Sequence, residues 1–176
     1  MFTRRATAAA LALLATLSMS VISGISGIAR ADETLTGKRV TGGGQYTSDF
    51  FGVGTVAVHA VRHQDGTVTG QVEAHYPERG LRVHGEVDCL FVVGNRAYVS
   101  GVITNVEGDP DGLYYSEGTY FILAIQDDGE GHNSNPDLVS VLIPSVNPLD
   151  CTDPAAQNFA DAFRSSLTHG NFQVVP

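Results

Sequence analysis

GVGTVAVHAVRHQDGTVTGQVEAHYPERGLRVHGEVDCLFVVGNRAYVSGVITNV, residues 52–106, decides the fold. Apolar and polar residues alternate with period two, and Gly-containing clusters interrupt the alternation at regular spacing, the pattern of half-buried strands joined by tight turns. It predicts four strands: Gly52–His63, Thr67–Tyr76, Leu81–Val93 and Ala97–Val106. Turn chemistry sets which faces point inward, because a slip of one residue turns every side chain over. A three-residue loop Gln64-Asp65-Gly66, with Gly66 left-handed, puts Val56, Val58 and Ala60 on one face with Val68, Gly70 and Val72, and sends His59 and His63 outward. A two-residue Asp65-Gly66 turn would bury both histidines. The first reading is preferred because it fills the core with small apolar groups rather than imidazoles. The turn Pro77-Glu78-Arg79-Gly80 pairs Tyr76 with Leu81, so Ala74 meets Val83 inside while Glu73 meets His84 and His75 meets Arg82 outside. A Gly94-Asn95-Arg96 loop matches inward Cys89, Phe91 and Val93 to Ala97, Val99 and Gly101.

Outward from this stretch, an acidic loop 107–112 precedes a strand Thr119–Gln126 whose Phe121, Leu123 and Ile125 face one way. A second acidic loop, 127–137, precedes a strand Leu138–Ile143. One strand separates the two loops, so they belong at opposite ends of the sheet. Asp153 as N-cap and Pro154 at the first helical position open a short helix in which Phe159, Phe163 and Leu167 recur every four residues. Gly170 stops it, Asn171–Val175 closes the sheet, and a further strand lies around Lys38–Gly42. The sum is an all-β chain of about eight antiparallel strands with one short C-terminal helix, expected as a small closed barrel, with a β-sandwich as the alternative.

The first 31 of the 176 residues carry no acidic group. Arg4 and Arg5 followed by the apolar stretch Ala8–Ile28 and the small-x-small site Ala29-Arg30-Ala31 read as a signal peptide cleaved before Asp32. An uncleaved membrane anchor is the alternative, weakened by Gly24, Gly27 and several serines. Thr3-Arg4-Arg5 admits the twin-arginine route besides the general one, without the strongly apolar residues that usually follow the pair. The expected domain is therefore 32–176, secreted and free of the membrane. Three of the ten basic residues precede Asp32 and all nineteen acidic ones follow it, so its net charge is 7 − 19 = −12, which argues against nucleic acid as a partner. Cys89 and Cys151, an even count outside a reducing cytosol, are expected to form a disulfide, free thiols or a metal pair being the alternatives.

Taken together, Gly70-Gln71-Val72-Glu73, Leu81-Arg82-Val83-His84-Gly85, Cys89-Leu90-Phe91-Val92-Val93-Gly94-Asn95 with Ala97 and Val99-Ser100-Gly101, Asp127-Asp128-Gly129-Glu130-Gly131 and Gly170-Asn171-Phe172-Gln173-Val174 carry a resemblance. In this order they resemble a family of uncharacterised exported bacterial β domains common in actinobacteria. The resemblance implies a secreted barrel-like module; the family has no assigned chemistry and supplies no functional residue.

Two clusters carry donor groups. Asp127, Asp128, Glu130 and Asp137 lie in the densest run of oxygen donors and suggest a weak calcium site, although their spacing is not that of an EF-hand. The competing reading is a turn whose Asp127 and Asn135 hold the backbone by side-chain bonds. On the outer face, Glu73 opposite His84, with His59, Gln71, His75 and Glu86 nearby, suggests an acid/base pair or a surface zinc site. Solvated cross-strand pairing is the preferred account. No nucleophile motif is present, and Gly42-Gly43-Gly44 lacks the Lys and helix of a phosphate loop, so it reads as a flexible strand end. The expected function is a non-enzymatic binding or structural module, its partner a small apolar ligand held in the barrel or an extracellular protein held by the loops. The alternative is a small barrel enzyme of cyclase or isomerase type acting on an apolar substrate. A hollow interior with an inward carboxylate or Tyr would favour the enzyme, and a filled one surface binding. No cofactor is expected apart from the calcium reading.

Overall fold

The structure, a computed structural model, describes residues 37–109, 114–130 and 134–176. The signal segment with Ala29-Arg30-Ala31, and Pro110 to Leu113 and Gly131 to Asn133 of the two acidic loops, lie outside the described residues. The strands are β1 (Arg39–Ser48), β2 (Gly52–Arg62), β3 (Val68–Tyr76), β4 (Leu81–Val93), β5 (Arg96–Glu107), β6 (Tyr120–Gln126), β7 (Leu138–Ser140), β8 (Ile143–Ser145) and β9 (Arg164–Val175), with one helix, α1 (Pro154–Asp161). Eight strands close an antiparallel barrel in the order β1-β2-β3-β4-β5-β6-β7-β9, and β9 returns to β1. The ninth, β8, pairs with β6 alone.

The first two hairpins have the expected registers. His63 N–H donates to Thr67 O at 2.8 Å and Gly66, at φ +86°, returns the chain through a left-handed residue, so Val58 opposes Val72 and Ala60 opposes Gly70. Tyr76 opposes Leu81, Ala74 opposes Val83, and Glu73 opposes His84 across the next turn. Val56, Val58, Ala60, Val72, Ala74 and Val83 are buried inside, as alternation requires.

Five expectations are corrected. The β4–β5 connection is a two-residue Gly94-Asn95 turn, with Gly94 at φ +59° and Val93 opposite Arg96. Asp88 is a bulge without a partner, since Val87 opposes Gly101 and Cys89 opposes Ser100. The extra residue turns the end of β4 over, so Leu90 and Val92 face inward beside Val99 and Ala97, while Cys89, Phe91 and Val93 face outward. Because residues 90–93 are all apolar, either parity satisfies the pattern, and the tertiary fold chooses.

Gly42-Gly43-Gly44 is the middle of β1, paired to β2 on one side and β9 on the other, not a flexible end. A Cβ on Gly42, at φ +133°, would lie 2.2 Å from Asn171 O, so close backbone approach to β9 requires glycine there. The helix ends at Asp161; Phe163 lies beyond it, and Leu167 and Gly170 belong to β9. Only Ala160 of α1 is buried, and Phe159 is exposed. The strand expected at 138–143 is broken at Val141-Leu142, where Ser140 Oγ accepts the Ala124 N–H and donates to Val141 O.

The inward side chains form one core cluster that includes Phe121, Leu123, Ile125, Val139 and Phe172 with Val83, Leu90 and Val99, all but fully buried. Ile122 and Ala124 point outward from β6, yet they too are buried, because α1 packs over that part of the wall.

Candidate functional site: the outer wall and the acidic seam

Three regions carry groups able to act on a ligand: the outer wall of β2–β5, the acidic loop after β6, and the aromatic end of the barrel.

On the wall, the registers stack Ala57, Glu73 and His84 in one cross-strand row and His59, Gln71 and Glu86 in the next. Ala57 has a one-carbon side chain beside Glu73, and a groove of about 420 Å³ is lined by these residues and Thr104. Thr104 is itself the extra residue of a β5 bulge, since His84 opposes Asn105 and Gly85 opposes Ile103. Glu73 Oε1 lies 4.0 Å from His84 Nε2 and 3.8 Å from Arg82 Nε. The Glu73 and His84 side chains are 47% and 40% exposed, half-shielded rather than fully solvated. Sequence reasoning named Glu73, His84 and His59 as one patch, and the structure brings all three to one groove.

The four acidic residues of the second cluster are placed differently. Asp137 is buried; its Oδ2 accepts the Phe172 N–H at 2.6 Å and its Oδ1 the Asp128 N–H at 2.9 Å. Asp127 accepts the N–H of Val174 and of Gly129, both at 2.9 Å. Asp128 accepts from Gln126 Nε2 at 2.7 Å, and Glu130 from Gln173 Nε2 at 2.9 Å. β7 covers β9 only from Arg164 to Ser166, so the N–H groups of Phe172 and Val174 have no neighbouring strand on that side. Two carboxylates take the place of the missing carbonyls and seal the seam between β9 and β6. Among the described residues, the only group of three or more donors lying mutually within 4.8 Å is Cys89, Asp150 and Cys151. The two cysteines are bonded to each other across the outside of β4.

At the barrel end nearest Phe51, three tyrosines that sequence reasoning did not group face one another. Tyr46 OH donates to Tyr76 OH at 3.2 Å, Leu142 N–H reaches Tyr76 OH at 3.4 Å, and Tyr115 OH donates to Leu142 O at 2.5 Å. Burial, then the neighbouring Tyr76 phenol, pushes the Tyr46 hydroxyl far above the usual phenol range, and burial does the same to Tyr115. Phe51 stacks on Tyr76 at 4.5 Å, and the Arg79 guanidinium sits 5.3 Å over Phe51 and 5.0 Å over Tyr114, closing this end. Beside it, Phe50, Phe159 and Phe163 border a small apolar groove of about 180 Å³. The helical spacing of the two latter phenylalanines suggested a buried face, and only the position of α1 turns Phe159 outward.

A separate polar cluster fastens α1. Asp161 accepts from Tyr98 OH at 3.0 Å and lies 3.2 Å from Arg164 Nε and 3.4 Å from Arg96 Nη1. Burial first, and the Asp161 carboxylate second, raise the Tyr98 hydroxyl above its ordinary range. Among the described residues no helix is long and apolar enough to cross a membrane. No family model, curated protein or solved structure matches this chain.

Proposed function

We propose that the chain is an exported, non-enzymatic binding module that holds its partner on the outside of the barrel. The observation that supports this reading is the filled interior. A methyl group on Gly85 would lie 2.5 Å from the Phe121 ring, on Gly44 2.7 Å from Leu167, and on Gly54 3.0 Å from Tyr76. At three separate points the wall therefore lacks room for one more carbon, whereas a barrel that holds a ligand keeps a cavity of about 300 Å³ or more. The enzyme reading asks for an inward acid or Tyr beside such a cavity. Inward tyrosines exist, but their hydroxyls are spent on one another and on the Leu142 backbone. Export is supported by Arg4, Arg5 and Ala29-Arg30-Ala31 in the sequence, and the Cys89–Cys151 bond fits an oxidising compartment.

Incubation with a long-chain fatty acid and with a planar aromatic probe tests the reading. The chain has no Trp, so its emission comes from its six tyrosines, of which Tyr46, Tyr76 and Tyr115 are buried inside this end of the barrel. The expected result is no stoichiometric uptake. One-to-one binding that quenches this emission would place the ligand inside and return the cyclase or isomerase reading.

A further inference from the structure

We propose that the groove on the outer wall is a binding site for a divalent transition-metal ion such as zinc, held by Glu73 and His84 with His59 as third ligand. The inference rests on the wall being the binding surface and gives that surface a ligand class.

Glu73 is the centre of an imidazole-rich lattice. His84 faces it from β4, His75 follows it by two residues on β3, and His59 lies on its diagonal in β2, one row away. Three of the six histidines in the chain thus surround one carboxylate. Ala57 opposite Glu73, and Gly43 opposite Ala57, supply almost no side chain, which leaves the depression open above the carboxylate. The direct pair is nearly set for an ion. Two ligands of a tetrahedral zinc, each bonded at about 2.0–2.1 Å, stand about 3.3 Å apart. Glu73 Oε1 and His84 Nε2 stand 4.0 Å apart. Side-chain rotation closes that difference, because both groups are about half exposed. His59 is exposed and is the ligand that must travel furthest, since the donor atoms of the three residues do not all lie within 4.8 Å of one another. Imidazole with carboxylate is the donor set that suits zinc, copper or nickel, whereas calcium and magnesium take oxygen alone. Gln71 and Glu86 border the same groove and are placed to accept hydrogen bonds from metal-bound water.

One residue opposes the ion. Arg82 Nε lies 3.8 Å from Glu73 Oε1, so its charge competes for the carboxylate. A site built on Glu73 binds more tightly without it, whereas a merely structural Glu73–His84–Arg82 cluster gives no reason for any such gain.

Calorimetric titration of the mature protein with zinc chloride tests the proposal. The expected isotherm has one site, weakened by more than about tenfold in His84→Ala and in Glu73→Gln and tightened in Arg82→Ala. Paramagnetic nickel should broaden the His59 and His84 imidazole resonances before those of His63 and His169. Absence of binding, or an isotherm that all three substitutions leave unchanged, overturns the metal site. Loss of binding in Glu130→Gln with the wall variants unaffected puts the ion on the acidic loop and overturns it as well. These outcomes are separate from the wall reading, which falls to ligand uptake inside the barrel.

Discussion

Glu73 and Val83 belong to neighbouring strands of one hairpin and point to opposite sides of the wall, which makes their substitutions a sharp contrast. Val83 is fully buried among the barrel side chains, whereas the Glu73 and His84 side chains are about half exposed to water. An exposed pair of this kind contributes under about 1 kcal/mol. Glu73→Ala and His84→Ala should therefore match the parent in chemical denaturation, while Val83→Asp, which buries an unpaired carboxylate, should not fold. A His84→Ala protein that melts far below the parent would show that the face is misassigned. The buried phenols make a second prediction at this scale. Tyr46 and Tyr115 have folded-state pKa values raised above the unfolded value of 10.0. The stability this contributes is complete below that unfolded value and is lost as pH rises beyond it, because only the unfolded chain releases these protons readily. Phenolate absorbance from these residues should appear together with the loss of near-ultraviolet circular dichroism at alkaline pH. Tyr46→Phe should move that transition upward. Full ionisation of all tyrosines in a protein that keeps its tertiary signal would contradict the burial.

At the level of elements, β4 and the loop after β6 each owe their role to an irregularity. The bulge at Asp88 turns Cys89 outward, toward the segment that leads into α1, and so brings it to Cys151. The cysteines are 62 residues apart, and closing a loop of that size constrains the unfolded chain by about 4 kcal/mol in the entropic account. The Cys89→Ser/Cys151→Ser double variant should lose stability of that order in urea titration, and thiol titration of the denatured, unreduced parent should find no free sulfhydryl. In the loop, Asp137→Ala strands the N–H groups of Phe172 and Asp128, of which the former is buried, and should cost about 3 kcal/mol. Millimolar calcium should leave the melting temperature of the parent where it is, since the carboxylates of this loop already accept N–H groups of the protein; a clear upward shift would favour the calcium reading.

The hairpins of residues 52–87 were legible because each level agreed: period-two alternation, a left-handed Gly66 and a Pro-initiated turn all pointed to one register. The register failed to be legible at 88–93, where four consecutive apolar residues satisfy either face. It failed again at 159–167, where a four-residue repeat mimics a helix that ends at Asp161. The wall patch of Glu73, His84 and His59 could be read because one hairpin and its neighbour fix it. The tyrosine trio could not, because Tyr46, Tyr76 and Tyr115 come from three separate regions and meet only when the barrel closes.

For the whole molecule, the expected secreted form begins at Asp32, so intact mass of protein recovered from culture medium should correspond to 32–176; full-length material confined to membranes would sink that expectation. The sequence by itself determined the strand-rich class, the inward faces of β2 and β3, and the cysteine pair, all from alternation, turn chemistry and counting, which act between near neighbours. Only the tertiary structure decided for the expected closed barrel over the sandwich, and showed that its wall has no room for another carbon at Gly44, Gly54 and Gly85. It alone decided that the acidic run seals an open strand edge, because closure, packing volume and unsatisfied N–H groups depend on contacts between distant parts of the chain.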